Sequence, residues 1–171
     1  KNLAAAGDGG CLVTNNLKIF QKCKQLRNLG QETQNEHIEL GINTKLDAIQ
    51  AKVLNWKLPY LDVWNESRNK IASLYKKNLK DLPISFQRND EYEEHVYHLF
   101  QIQTNKRELL LKYLKNNDID AVVRYPIPIH KQIAFNDVIW NKSTFPVAEM
   151  LCNQLICLPI RPDMTKNEVL F

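Results

Sequence analysis

The sequence predicts an α/β protein built from two structural units, and two observations support this prediction. One is a change of composition along the 171 residues: all five glycines lie at or before Gly41, and all seven prolines lie at or after Pro59. The other is periodicity, because helical spacing of apolar residues dominates up to residue 80 and a strand–helix–strand order follows it. The apolar fraction of 44% is ordinary for a packed globular protein.

The chain opens on a loop of small residues. Lys1 stands at its edge, and a glycine-rich turn ends it, where Asp8 can fold its carboxylate onto nearby backbone N–H groups. Residues 11–14 are apolar and predict a short buried strand. From spacing alone, this stretch is a common glycine-rich turn that leads into a strand, and Lys1 is a solvated charge.

Two helical regions follow. Asn16 is a good N-cap, and the spacing after it predicts a helix over 16–29, followed by a polar loop over 31–40. Thr44 with Asp47 resembles a capping box, so we expect a helix over 44–58. A further helix over 59–80 is expected to begin at Pro59.

The last ninety residues alternate between strands and helices. Strands are predicted over 84–86, 95–102 and 119–124, and a helix over 106–116 with Asn105 as its cap. Further helices should begin at Phe145-Pro146 and at a capping box formed by Thr165 and Glu168. Within the strand at 95–102, His98 lies on an apolar face, which indicates a hydrogen-bonded core histidine.

Composition argues against several classes of function. The net charge is +4, but acidic and basic residues are interleaved, so no basic patch for nucleic acid stands out. No apolar stretch approaches the length of a membrane span. The four cysteines form no C-x-x-C pair and no Cys/His cluster with zinc spacing, which predicts no metal site and four reduced, mostly buried thiols in a cytoplasmic protein.

The order of the opening residues carries a more specific signal. Lys1-Asn-Leu is followed by Gly-Asp-Gly-Gly over 7–10 and by an apolar stretch ending in Thr-Asn. This order resembles the DegT/DnrJ/EryC1/StrS family of sugar aminotransferases, which depend on pyridoxal phosphate (PLP). The resemblance implies that Lys1 is the catalytic residue that carries PLP. The sequence departs from the family pattern at Ala4, where glycine is usual, and at Ala6, where an aromatic residue is frequent.

A second motif strengthens this resemblance. Gly41, Asn43, Leu46 and Asp47, with Gln-Ala at 50–51, match a family pattern in which the asparagine reaches across the dimer to the PLP phosphate of the other subunit. Asn43 is therefore the implied second cofactor-binding residue, and an amide near a helix N-terminus suits a phosphate. Alternatively, Asn43 only caps the helix. The family's usual arginine is replaced by Lys45, which keeps the charge but loses the bidentate geometry.

A third motif is the stiff loop Tyr125-Pro-Ile-Pro-Ile-His130, which is similar to the family's Tyr-Pro-x-Pro-x-His. The resemblance implies that Tyr125 and His130 contact the sugar-nucleotide substrate. Without it, a strand-exit loop whose histidine caps a local group is the better interpretation. Two shorter matches, around Tyr97-His98 and over 158–162, extend the resemblance almost to the end of the chain.

The resemblance implies the C-terminal part of a PLP-dependent transferase of fold type I, the aspartate aminotransferase type. We expect a remnant of the large PLP-binding domain over 1–42, linking helices over 43–80 and a small α/β domain over 81–171. The implied reaction moves an amino group from an amino acid, usually glutamate, to a nucleotide-linked keto-sugar in amino-sugar or cell-surface polysaccharide biosynthesis. A homodimer with shared active sites is implied.

Two alternatives stay open at this point. A non-catalytic dimeric or regulatory relative would keep the fold and lose the reaction, and the departures at Ala4, Ala6 and Lys45 are compatible with it. A PLP-dependent sugar dehydratase would have histidine in place of Lys1, so the lysine argues against it. Because half of the family fold precedes the lysine, we expect the 171 residues to be a fragment that is inactive by itself.

Overall fold

The computed structural model describes residues 1–89, 93–136 and 143–171. The chain divides into two compact units, one formed by Lys1 with residues 3–61 and the other by Asn2 with residues 62–171. Each unit is described by itself below. The three-part division at residues 42 and 80 stays a prediction.

The first unit contains two helices and a hairpin. Its elements are α1 (Leu17–Leu26), β1 (Gln31–Thr33), β2 (Glu36–His37), α2 (Ala48–Lys57) and a 3-10 turn (Leu58–Tyr60). The Asn16 side chain caps α1 as expected, since its Oδ1 accepts from the amides of Lys18 and Ile19 at 2.9 and 3.3 Å. α1 is shorter than predicted, because left-handed backbone at Leu29 (φ 62°) and Gly30 (φ 70°) turns the chain away.

Two other predictions for this unit are wrong. Residues 11–14 form no strand, and Leu12 and Val13 are 61% and 90% exposed. A strand needs a hydrogen-bonded neighbour, and none of the described segments pairs with this stretch. The polar residues 31–40 contain the β1–β2 hairpin instead of a plain loop, with Asn35 at φ 68° in its two-residue turn.

The helix α2 begins four residues later than predicted. Leu46 has φ 64°, which is incompatible with a right-handed helix at this position. The capping box between Thr44 and Asp47 is absent, and Asp47 becomes the N-cap without a side-chain hydrogen bond. Pro59 lies in the 3-10 turn between α2 and the next helix, close to its predicted place at a helix start.

The second unit is a small α/β domain. Its elements are α3 (Leu61–Leu79), β3 (Ser85–Phe86), β4 (Phe100–Gln103), α4 (Arg107–Asn116), two 3-10 turns (Ile129–Lys131 and Ile133–Phe135), α5 (Pro146–Gln154), β5 (Leu155–Leu158) and α6 (Lys166–Leu170). The three strands form an antiparallel sheet in the order β3-β4-β5. The capping box of Thr165 with Glu168 is present at the start of α6, as predicted.

The core of this unit lies between α3 and the sheet. Ile71, Ala72 and Tyr75 of α3 pack with Phe100, Ile102, Ala121, Ile156 and Leu158. The rings of Tyr75 and Phe100 stack with 4.9 Å between their centroids. The Tyr75 hydroxyl donates to the Pro159 carbonyl at 2.9 Å, and burial raises the pKa of Tyr75 to about 12.

Several predicted strands are shorter in the structure. The strand predicted over 95–102 begins only at Phe100 and runs to Gln103, because Tyr97 has φ 40° and breaks the alternation. The strand expected over 119–124 reduces to one bridge between Val122 and Cys157. In the described part of the chain, no segment is both long and apolar enough to be a membrane-spanning helix.

One smaller prediction for the second unit also fails. Lys106 is the N-cap of α4 instead of Asn105, whose Oδ1 accepts from Gln154. On the same helix, Leu109 and Tyr113 are 69% and 63% exposed. Among the cysteines, Cys157 is buried, but Cys11 is exposed because its segment is not a strand.

Candidate functional site

The loop that follows Lys1 lies against α2 within the first unit. Lys57 Nζ donates to the Ala4 carbonyl at 2.7 Å, and Gln50 Nε2 donates to the Ala6 carbonyl at 3.1 Å. Ala4 has φ 51°, so alanine costs about 1 kcal/mol where glycine would be unstrained. The departure from the family pattern at this position is therefore a real local strain.

Lys1 itself is exposed, and among the described residues its amine has no hydrogen-bond or ion-pair partner. An unengaged amine is what condensation with an aldehyde requires. The predicted contact of Asp8 with nearby backbone N–H groups is absent, since the described residues give its carboxylate no hydrogen bond.

Asn2, the residue after Lys1, is held by three side-chain hydrogen bonds that no sequence motif indicated. Its amide donates to Asn65 Oδ1 at 2.7 Å and to the Val96 carbonyl at 2.8 Å. Its Oδ1 lies 3.2 Å from His98 Nδ1. Both N–H groups and the carbonyl of Asn2 are engaged, and the prediction that His98 is hydrogen-bonded is confirmed, although its ring is only half-buried. These contacts span 63 to 96 residues of sequence, so no local signal could reveal them.

Asn43 lies on a segment that is fixed against the end of α1. Its backbone forms a bridge with Asn28, and the flanking amides of Ile42 and Thr44 donate to the carbonyls of Leu26 and Arg27 at 2.9 and 3.0 Å. The Asn43 side chain is exposed and has no hydrogen-bond partner among the described residues. It does not act as the side-chain cap of α2, whose N-cap is Asp47.

Lys1 and Asn43 suit PLP in their donor chemistry. An exposed amine and an exposed amide are both unengaged, and the N-terminus of α2 lacks a side-chain cap, which leaves N–H donors for an anion. In the described part of the first unit, no hydrogen bond joins Lys1 to Asn43. The residues present therefore fit the group, but by themselves they are only part of a binding site.

Tyr125 and His130 lie in the second unit and have different environments. Tyr125 is 64% exposed, whereas His130 is 6% exposed and packs on the Phe145 ring with 4.7 Å between ring centroids. No hydrogen bond in the described residues joins Tyr125 to His130. The histidine belongs to a side-chain cluster in which its own ring is buried, whereas the tyrosine is free to meet another molecule.

Glu149 of α5 completes this cluster, and no sequence motif indicated it. Its Oε1 lies 3.0 Å from His130 Nε2, and its Oε2 accepts from Lys131 Nζ at 2.5 Å. Hydrogen bonds from Lys131 and then His130 lower the pKa of the Glu149 carboxyl to about 2. An ionised carboxylate only accepts hydrogen bonds, so His130 Nε2 must carry a proton.

The fold and the motifs together define the C-terminal part of a PLP-dependent transferase of fold type I, as predicted. The family model for the DegT/DnrJ/EryC1/StrS aminotransferase family matches residues 1–170. The chain belongs to this family, whose aminotransferases depend on PLP.

Three relatives illustrate the match. The dTDP-3-amino-3,6-dideoxy-alpha-D-galactopyranose transaminase of Aneurinibacillus thermoaerophilus is 37% identical over 94% of this chain and 44% of its own length. The erythromycin biosynthesis sensory transduction protein EryC1 of Saccharopolyspora erythraea is 35% identical over 98% of this chain and 46% of its own. The crystal structure of S. venezuelae DesV in complex with a ketimine intermediate has a TM-score of 0.93 and 34% identity, over 99% of this chain and 46% of its own. The chain therefore spans about half the length of the relatives that it matches.

Proposed function

We propose that the whole protein is a PLP-dependent aminotransferase that moves an amino group from an amino acid, glutamate in our proposal, to a nucleotide-linked keto-sugar. The observation that carries the proposal is the unengaged amine of Lys1, which opens the Lys-Asn-Leu motif of a chain whose residues 1–170 match the family model. We place the enzyme in the cytoplasm as a homodimer with shared active sites, in amino-sugar biosynthesis.

Lys1 has two tasks in this proposal. Its amine would hold the cofactor covalently between turnovers, and the same Nζ, when free, would hold and move a proton between the reacting carbons. PLP, when bound, supplies the electron sink for this chemistry. The exposed amide of Asn43 donates to the cofactor phosphate of the opposite subunit, and Tyr125 contacts the sugar nucleotide.

The first experiment is borohydride reduction of the full-length protein with PLP, followed by peptide mapping. We expect a pyridoxyl group on Lys1, and its loss in Lys1→Arg. Lys18→Arg is the matched control, because Lys18 is an exposed lysine of α1 in the same unit and should not affect labelling. A label on another lysine, or on none, would contradict the assignment.

The role of Asn43 across the dimer has its own test. Lys1→Ala and Asn43→Ala should each be inactive or strongly impaired as homodimers. Mixed dimers of the two variants contain one site with both residues intact and one site with neither, so activity should return on mixing. If Asn43 acts in its own subunit, no mixed site is intact and activity stays low.

A regulatory protein is the second candidate, and the name of the relative EryC1, a sensory transduction protein, favours it. The same labelling experiment separates the two. A full-length protein that takes up PLP on no lysine and turns over no keto-sugar would support the regulatory function. Uptake on Lys1 together with amination of a nucleotide-linked keto-sugar would establish the enzyme.

A further inference from the structure

The loop over 124–130 is anchored at one end and open along the rest of its length. Tyr125, Ile127 and Ile129 are exposed, with 64%, 50% and 71% of their surface accessible, whereas His130 is buried. Pro126 and the second proline of the motif restrict the backbone, so the loop has few conformations once its end is fixed. Exposed tyrosine and isoleucine on a stiff loop are typical of a surface that meets a ligand.

The anchor at the closed end is Glu149. One carboxylate oxygen accepts from His130 Nε2 at 3.0 Å and from the Phe145 amide at 3.4 Å, and the other accepts from Lys131 Nζ at 2.5 Å. The carboxylate thus joins the end of the loop to the first turn of α5 through three donors. His130 also packs on the Phe145 ring, so the contact is partly apolar.

We propose that Glu149 is a positioning residue that acts through His130 and fixes the loop so that Tyr125 meets the nucleotide-sugar substrate. The inference rests on the proposed aminotransferase function and assigns different tasks to the two residues of the loop. Tyr125 makes the direct contact, whereas His130 transmits the position set by Glu149. The buried ring, with Nε2 occupied by the carboxylate, leaves His130 little surface for a ligand.

Replacement of the carboxylate by an amide separates the charge from the shape. Glu149→Gln keeps the size of the side chain and one acceptor oxygen, but it replaces the other oxygen by an N–H₂ group. That group then faces a hydrogen-bond donor, either Lys131 or His130. Either the pair with Lys131 or the pair with His130 is then lost, because two donors cannot share a hydrogen bond. The end of the loop then keeps only part of its attachment to Glu149, and the substitution does not touch the backbone hydrogen bonds of α5.

The test uses the full-length enzyme with PLP. A panel of dTDP- and UDP-linked keto-sugars is screened with wild type, and the sugar that is turned over fastest is then used to compare the variants. For Glu149→Gln we expect kcat/KM for the keto-sugar to fall by about ten- to a hundredfold, since a misplaced contact residue loses that much. The half-reaction with the amino donor and the labelling of Lys1 should not change. Amides of Lys131 and Gln132, which bond to Pro128 and Ile129, should exchange faster with solvent.

Glu66→Gln is the matched control, because Glu66 also pairs with a lysine, Lys70, on an exposed helix face of the same unit. It should leave all four readouts at the wild-type level. A double-mutant cycle with His130→Asn adds a test of mechanism. If Glu149 acts through His130, the double variant should be no worse than the worse single variant.

Three outcomes would overturn the inference: an unchanged kcat/KM in Glu149→Gln, an equal loss in both half-reactions, or full additivity with His130→Asn. All three outcomes presuppose that wild type labels at Lys1 and aminates a keto-sugar. Failure of the proposed function has a different signature, because wild type itself then neither labels at Lys1 nor turns over any member of the panel.

Discussion

Replacement of Gly41 by alanine tests how the backbone near Asn43 is built. A Cβ added to Gly41 would lie 2.1 Å from the backbone nitrogen of Gly30 and 2.6 Å from the carbonyl oxygen of Leu26. All of these neighbours are backbone atoms, so no side-chain rotation can relieve the contact. A Cβ added to Gly10 would meet nothing within 4 Å, which makes Gly10→Ala the matched control.

The two substitutions should act in opposite directions. Overpacking typically costs about 1–3 kcal/mol, and the upper end applies to Gly41 because the backbone itself must move. Alanine at a compatible glycine position stabilises by about 0.4–1 kcal/mol through the unfolded state. We therefore expect Gly41→Ala to lower the local free energy of unfolding by about 3 kcal/mol, and Gly10→Ala to leave it equal or slightly higher.

Amide hydrogen exchange of the full-length protein measures this directly. The amides of Ile42 and Thr44 donate to the end of α1, and a loss of about 3 kcal/mol corresponds to roughly a hundredfold faster exchange. Because we propose that Asn43 contacts the PLP phosphate, PLP affinity should fall as well in Gly41→Ala, which displaces Asn43. Equal exchange at Ile42 and Thr44 in Gly41→Ala and wild type would refute the reasoning.

Two further predictions concern the second unit. Phe100→Ala should lower the free energy of unfolding, measured by amide hydrogen exchange in β4 and β5, by about 3–5 kcal/mol, since Phe100 is buried and stacks on Tyr75. Leu109 is exposed, so Leu109→Ala should change it by no more than about 0.5 kcal/mol. Similar losses in both variants would contradict this packing. Hydrogen bonds from the Thr165 amide and hydroxyl, with Arg161, lower the pKa of Glu168 from 4.5 to about 2. Because this pKa is lowered on folding, the stability that it contributes is present above about pH 4.5 and is lost as the pH falls towards 2. An NMR titration of the Glu168 carboxyl should show this value in wild type and a higher one in Thr165→Ala; titration near 4.5 in wild type would oppose the structure.

Local signals in the sequence predicted the features that depend on neighbouring residues. The cap of α1 at Asn16 and the capping box of Thr165 with Glu168 involve residues two or three positions apart, and both are present. The apolar periodicity of α3 was visible because the helix repeats every 3.6 residues. The prediction of a strand at 11–14 was wrong for the opposite reason, since a strand depends on a partner strand that its own residues do not specify.

Motif order and periodicity are properties of the chain alone, so the family, the order of the α-helices and the candidate role of Lys1 follow from the sequence. The start of α2, the pairing of the strands and the contacts of the candidate residues depend on the three-dimensional fold. Left-handed backbone at Leu46 and Tyr97 moved the predicted boundaries. The hydrogen bond between Glu149 and His130 joins residues 19 positions apart. Such contacts arise only when folding has brought distant segments together, so their physical basis is the path of the backbone.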